Sequence, residues 1–406
     1  MGGGSTRAAG AALAFVLLLA GCTGGSAPSA PAPSPVPSST TPPAATTVLR
    51  GLPDGVTQRA VLGDPWSTKR SRVHAVAESA LALVRSARKG QTLTLSMFNT
   101  TYRGAAELLL QAHRRGVAVR VLVNSESARS HQTRILRAGL GADPGRRSWV
   151  VVRSGGVRMH SKFLLLTARG DHGPTVWVSS GNLTESNGRD QANEALITVG
   201  DQKLYDFLLD QFTLMRRGVT RPATLARVGT TASTVVRTFP LPRGGAAHDP
   251  VLAMLRDVRC TQGAERTTVR MAQLYLTVER AYLVQQLRTL AAAGCRLLIV
   301  GHMRGWNPDV IEALRAPGAG RVDLRSASGR ILHTKITVVD GWDAAGRRIK
   351  EAMVGSHNLT GRALSRTPEG VNDELSLRIW NPATVDTYSD WVDWVITRHS
   401  TAAKAP

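Results

Sequence analysis

"QTLTLSMFNTTYRGAAELLLQAHRRGVAVRVLVN", residues 91–124, reads as strand, helix, strand. A β-branched and apolar run comes first. A segment with apolar residues at helical spacing follows, ends at Gly116, and gives way to a second apolar strand, VAVRVLV. Residues 267–302, "TTVRMAQLYLTVERAYLVQQLRTLAAAGCRLLIVGH", repeat the pattern with Gly294 and CRLLIV. Each stretch is a βαβ unit, which implies parallel strands joined by a right-handed crossover. Two such units in one chain point to an internal duplication.

The likeness continues outward from both units. "VRMHSKFLLLT" (157–167) and "RILHTKITVVD" (330–340) each place a histidine two residues before a lysine, with an apolar run behind. Polar turns follow at 168–175 and 341–348, then short strands ending in "VWVSSGNLT" and "EAMVGSHNLT". "QANEALITV" and "VNDELSLRI" each bring a carboxylate into an alternating strand. Helices are predicted around 201–217 and 383–398. With 10 histidines and 7 lysines in 406 residues, two His-x-Lys triplets in matched surroundings are not chance.

Residues i and i+2 of a strand share a face. His160 and Lys162 therefore project together, as do His333 and Lys335, while Ser161 and Thr334 turn away. Ser180 and Asn182 match Ser356 and Asn358, and both pairs could donate hydrogen bonds to phosphate oxygens, although these residue types also favour turns. Glu194 and Glu374 are candidates to accept the second ring N–H of an imidazole and raise its basicity. If the half-sites meet across a pseudo-twofold axis, one cleft holds two imidazoles, two ammonium groups, two amides and two hydroxyls. That set suits a phosphodiester. One imidazole attacks phosphorus, the other protonates the leaving oxygen and then activates water, and the lysines and amides neutralise the equatorial oxygens. The sequence carries neither the Cys/His nor the clustered-carboxylate pattern of a metal site, so no metal or cofactor is expected.

These residues resemble a known family. "HSKFLLLT…SSGNLT" and "HTKITVVD…GSHNLT" look like the two His-x-Lys-x₄-Asp…Gly-Ser-x-Asn motifs of the phospholipase D superfamily, over about residues 70–400. The resemblance implies an α/β fold of two duplicated α/β/α sandwich domains, packed as a pseudo-twofold dimer with one shared active site. It also implies that His160 is the nucleophile and His333 the general acid and base, with Lys162, Lys335, Asn182 and Asn358 gripping the phosphate. The motif's aspartate stands in the second copy as Asp340; Thr167 takes its place in the first.

The remaining segments bound the setting. Residues 1–21 read as a signal peptide: Arg7, the apolar "AALAFVLLLA" and a "LAGC" ending at Cys22 match a bacterial lipoprotein cleavage site. Export, lipid attachment at Cys22 and anchoring on the outer face of the cell membrane are expected. Residues 22–47, rich in Pro, Ser and Thr, read as an extended tether. The first repeat is placed at 48–218, a linker at 219–245 and the second repeat at 246–406. Cys260 and Cys295 precede predicted strands and can pair as a disulfide in an oxidising compartment, or stay as buried thiols.

The formal charge of +22 predicts attraction to a polyanion: nucleic acid, anionic headgroups or wall polymers. Export and anchoring favour a phospholipid substrate at a membrane surface, hydrolysed or transferred to an alcohol. The charge favours a nuclease. A non-catalytic polyanion-binding surface lipoprotein is the alternative of a different class. Cardiolipin synthases usually carry transmembrane helices, and none remains here after processing. Aromatics are only 5% of the chain, which argues against both a base-stacking platform and a broad lipid-inserting surface. Trp306 is either a rim residue at the substrate entrance or a loop residue packed on its neighbours. An internal pseudo-dimer is expected to be monomeric.

Overall fold

The computed structural model describes residues 51–153, 155–218, 221–317 and 322–404. Cys22 and the tether lie outside the described residues. Both βαβ units are present. Strand Thr92–Met97 runs parallel to Ala118–Asn124 through helix Ala105–Arg114, and strand Thr268–Gln273 runs parallel to Arg296–Gly301 through helix Ala281–Ala292. Each helix is ended by its glycine, Gly116 at φ +87° and Gly294 at φ +94°. A side chain in that left-handed region would cost roughly 1–2 kcal/mol, and glycine has none.

The two sheets share one strand order. In the first, Thr57–Leu62, Glu194–Val199, Thr175–Ser179, Phe163–Leu166, Thr92–Met97, Ala118–Asn124 and Trp149–Arg153 lie side by side. In the second, Thr234–Phe239, Asn372–Ile379, Arg348–Gly355, Lys335–Asp343, Thr268–Gln273, Arg296–Gly301 and Val322–Ala327 take the same places. Helices cover the outer face of each sheet, Ala75–Ser86, Ala105–Arg114 and His131–Leu140 on one, Pro250–Arg256, Ala281–Ala292 and Pro308–Arg315 on the other.

Between the sheets lies one shared core. Leu122, Phe163, Leu165 and Leu196 of the first repeat and Val300, Ile336, Val354 and Leu377 of the second belong to the same buried apolar cluster. Helices Gln202–Arg217 and Pro382–Arg398 contribute Leu208, Phe212, Tyr388 and Val392 to it. Alternation along a strand serves both layers: Leu165 faces the shared core while Leu164 and Leu166 face the outer helices. Each repeat therefore covers apolar surface that the other exposes, and this fixes how the halves meet.

The segment at 219–245 is not a plain linker. Strand Thr234–Phe239 pairs antiparallel with Asn372–Ile379, as Thr57–Leu62 pairs with Glu194–Val199. It is the first strand of the second repeat. Its Thr/Arg/Pro-rich composition hides this, because only Val236 and Phe239 fully bury large apolar side chains.

Cys260 and Cys295 are joined by a disulfide. Cys295 stands just before the parallel strand Arg296–Gly301. Cys260 lies eight residues before the start of Thr268–Gln273 and is brought back by a small hairpin, whose closure sets Thr267 N–H on the Cys260 carbonyl at 2.9 Å. The bridge spans 35 residues. Replacing both cysteines by serine is expected to lower unfolding free energy by about 3–4 kcal/mol, from the loop-closure entropy returned to the unfolded chain. Catalysis should be unaffected, because the bridge sits at the start of these strands and the candidate site at their far ends. Urea denaturation with and without reductant checks the first, and steady-state kinetics the second.

Candidate active site

Short pairings across the repeats place the two histidines. Arg158–Met159 runs parallel to the start of strand Asn372–Ile379, and Ile331–Leu332 runs parallel to Gln191–Ala192. The His160 amide donates to the Asp373 carbonyl at 2.9 Å, and the His333 amide to the Ala192 carbonyl at 2.9 Å. Each histidine is thus held by the opposite repeat. One buried ion pair strengthens the seam on one side only: Arg153 bonds Asp373, which also accepts the Ser161 hydroxyl.

The imidazoles have different partners. His160 Nδ1 lies 2.8 Å from Glu374 Oε2, whose carboxylate also accepts the Ser356 hydroxyl at 2.6 Å and the Asn372 amide at 3.0 Å. His333 Nδ1 lies 2.8 Å from Asn193 Oδ1. The Asn193 amide nitrogen donates to the carbonyls of Asn187 at 2.6 Å and Gln191 at 3.1 Å, so its oxygen must face the ring. On these partners the proton is assigned to Nδ1 of both rings, which leaves each Nε2 a lone pair.

Glu194, expected as the counterpart of Glu374, does not touch an imidazole nitrogen. The sheets give the reason. Ser179 pairs with Ala195, and Gly355 with Ser376. In space Glu194 corresponds to Leu375, and Asn193 to Glu374. Aligning the halves on their glutamates is wrong by one residue, and one residue in a strand exchanges faces. Glu194 instead accepts the Lys335 backbone N–H at 3.1 Å, and among the described residues its Oε2 has no hydrogen-bond partner. Aligning Leu196 with Leu377, which both face the shared core, would have found Asn193 from the sequence.

Both lysines are buried beside their histidines. Lys162 Nζ bonds the His160 carbonyl; Lys335 Nζ donates to the His333 carbonyl at 2.6 Å and stands 3.1 Å from His333 Nδ1. Burial, then Lys162 and Lys335, hold His160 well below the ordinary imidazole value; burial, then the same lysines in the reverse order, do so for His333. Burial drives both ammonium groups down as well, against the pull of Glu374 on Lys162 and of Glu194 on Lys335. Burial raises Glu374 to about 7. The resting site thus holds neutral imidazoles in a field of excess positive charge. The His160 side chain remains 12% exposed, enough for Nε2 to meet a bound ligand.

Asn182 and Asn358 occupy equivalent places, and among the described residues the side-chain oxygen of each is buried without a partner. Their amides have hydrogen-bonding capacity left for a ligand. Ser180 and Ser356 are not phosphate donors. Both are fully buried; Ser180 reaches the Glu194 carbonyl and amide, and Ser356 holds Glu374. Asp340 is remote from the imidazoles and bonds Arg348 near the middle of the hairpin Lys335–Gly355, with Lys350 at 3.9 Å. Thr167 in its place accepts the Thr92 N–H at 2.9 Å, a different closure of the same strand edge. Trp306 is 4% exposed with its ring N–H on the Gln273 carbonyl, a packed residue and not a rim.

The sequence reading missed Phe98 and Arg362. The Phe98 ring meets the His160 ring edge-on at 5.8 Å, and the Arg158 guanidinium lies 4.7 Å from its centre. Arg362 adds to the positive field at His160. No sequence signal marks either as a site residue.

The family model described as "Cardiolipin synthase, PLD-like domain" matches the chain twice, over residues 81–216 and 259–396. Among solved structures, phosphatidylserine synthase from Haemophilus influenzae Rd KW20 is similar at 14% identity and TM-score 0.58, over 88% of this chain and 90% of that one. Polyphosphate kinase from Porphyromonas gingivalis is similar at 14% identity and TM-score 0.55, over 86% of this chain; the match spans 52% of the kinase, about half its length. Nuc from Salmonella typhimurium matches 39% of this chain and 92% of its own at 16% identity and TM-score 0.29. No curated protein sequence matches. At these identities the solved structures speak for the fold, while the doubled domain match covers most of the chain. The chain belongs to the phospholipase D-like family, with two copies of its domain folded around one pair of histidines.

Proposed function

We propose that this protein is a phosphodiesterase of phospholipase D type, acting on phospholipid headgroups through a covalent phosphohistidine. The observation that carries this reading is the asymmetric pair: His160 on a carboxylate, His333 on an amide. A carboxylate at Nδ1 stabilises positive charge on the ring and so favours nucleophilic attack by Nε2. A neutral amide leaves the protonated ring more acidic, as a proton donor to the leaving group requires.

In the first step His160 Nε2 forms a bond to phosphorus. The bond to the leaving oxygen breaks, and that oxygen takes the proton from His333 Nε2. In the second, His333 removes a proton from water, the resulting hydroxide attacks phosphorus, and the P–N electron pair returns to His160. Glu374 keeps the Nδ1 proton in place throughout. Lys162, Lys335, Asn182 and Asn358 bind the non-bridging oxygens. A bound phosphodiester offsets the field of Lys162 and Lys335, raising the proton affinity of His333, so that substrate itself prepares the acid.

Export and lipidation at Cys22 would hold this site beside lipid, which favours a phospholipid. The charge of +22 favours the second reading, a nuclease of the same family. The test offers purified protein vesicles of phosphatidylcholine and phosphatidylglycerol, and single-stranded DNA, with and without chelator. Release of choline or glycerol that survives chelation is expected. DNA cleavage with untouched lipid would replace the phospholipase reading by the nuclease one. Binding of both without turnover would leave a polyanion-binding protein.

A further inference from the structure

Strand Thr234–Phe239 differs from its counterpart at one telling position. By sheet register Arg237, opposite Ser376, corresponds to Val61, opposite Ala195. Val61 is buried in the apolar layer under the outer helices of the first repeat. Arg237, on the same face of the second sheet, borders a cavity of about 390 Å³ beside helix Pro250–Arg256. A volume of that size is within the range of small-molecule sites.

The cavity is positively charged. Arg237, Arg243 and His248 line it, and among the described residues none of the three is in an ion pair. Asp249 also borders it, but both its oxygens are spent: they accept the Arg280 guanidinium at 2.7 and 2.8 Å and the Tyr282 hydroxyl at 2.8 Å. Burial, with Arg378 nearby, depresses Arg237, the mark of a half-buried cation with no acid beside it. A guanidinium so placed in a duplicated fold, where the other copy carries valine, needs a counter-ion to offset its desolvation. Leu241, Pro242 and Ala253 supply an apolar wall.

We infer that this cavity is a second anion site, distinct from the histidine cleft, which takes a small phosphomonoester with a carbon stem. Arg237 and Arg243 hold the phosphate and the apolar wall takes the stem. The site lies one side chain behind the cleft, since Arg280, bound to Asp249, also donates to the Asn358 carbonyl at 3.1 Å. It does not depend on the reaction proposed above.

Calorimetric titration of the purified protein with glycerol 3-phosphate and with inorganic phosphate tests the inference. Two binding sites are expected for glycerol 3-phosphate, with at least a tenfold preference over inorganic phosphate at the one in this cavity. Arg237→Val, which installs the residue of the first repeat, should abolish that site and keep the other. Arg243→Gln, on the exposed rim, should weaken it about tenfold without touching the core. No binding of glycerol 3-phosphate by the wild type, every wild-type site surviving Arg237→Val in a folded protein, or no preference for the phosphomonoester would overturn it; a single wild-type site that Arg237→Val abolishes would support it without the cleft.

Discussion

Replacing His160 by alanine is expected to lower turnover of a generic phosphodiester, bis(p-nitrophenyl) phosphate, by a factor on the order of 10⁴ or more. Loss of a nucleophile removes the covalent path itself. What survives is binding and charge neutralisation by Lys162, Lys335 and the two asparagines. His333→Ala should also be severe, but through a different step: with a leaving group as good as p-nitrophenol the first step needs little proton donation, so phosphoenzyme forms and its hydrolysis stalls. Alanine at 160 also strips one donor from the buried Glu374 carboxylate, at a cost of about 1–3 kcal/mol in stability. His160→Asn keeps a donor in reach and separates folding from chemistry. Steady-state rates beside thermal melts provide the check. A His160→Ala protein within tenfold of wild type would remove the nucleophile assignment.

Glu374→Gln is the second large effect. The amide can still accept the His160 Nδ1 proton, so the ring stays in place, but the charge that stabilises the attacking imidazole is gone. A fall in kcat of about 10²-fold follows from removing such a partner, with little change in KM. The pH profile carries the sharper signature. Burial raises Glu374 to about 7, and only its ionised form stabilises positive charge on His160. Activity should therefore rise with pH through about 7 in the wild type, and this limb should vanish in the glutamine variant. Asn193→Asp makes the converse change. A carboxylate at His333 raises that ring's proton affinity and should move the opposite limb, where the acid is lost, to higher pH. An unchanged profile in both variants would mean that the asymmetry between Glu374 and Asn193 has no catalytic role.

The fold was legible because duplication doubles every local signal. One βαβ unit is a weak inference; two with the same order of following elements, each ending its helix at a glycine, leave little freedom. His160, Lys162, His333 and Lys335 were legible for the same reason. The partners of the imidazoles were only half legible. Both glutamates enter strands at corresponding places in the text, yet their pairing in the sheets is offset by one residue, and position in a sheet is decided by register. The buried leucines record that register, but short polar entries such as "QANE" and "VNDE" do not. The strand at Thr234–Phe239 escaped because two of its buried positions are threonines and one half-buried position is an arginine, which gives it the composition of a linker. Phe98 reaches the site from the loop after strand Thr92–Met97 and Arg362 from the one-turn helix Gly361–Leu364, both too short to carry a periodic signal.

The claim on which the rest depends is that both histidines serve one phosphorus atom, with His160 forming the bond. Rapid acid-free quenching of the His333→Ala variant with bis(p-nitrophenyl) phosphate, followed by peptide mass spectrometry, measures this directly. One phosphoryl adduct per chain, on the peptide carrying His160, is the predicted result. An adduct on another residue in a protein that still turns over, or none at all during steady turnover by the wild type, would contradict it.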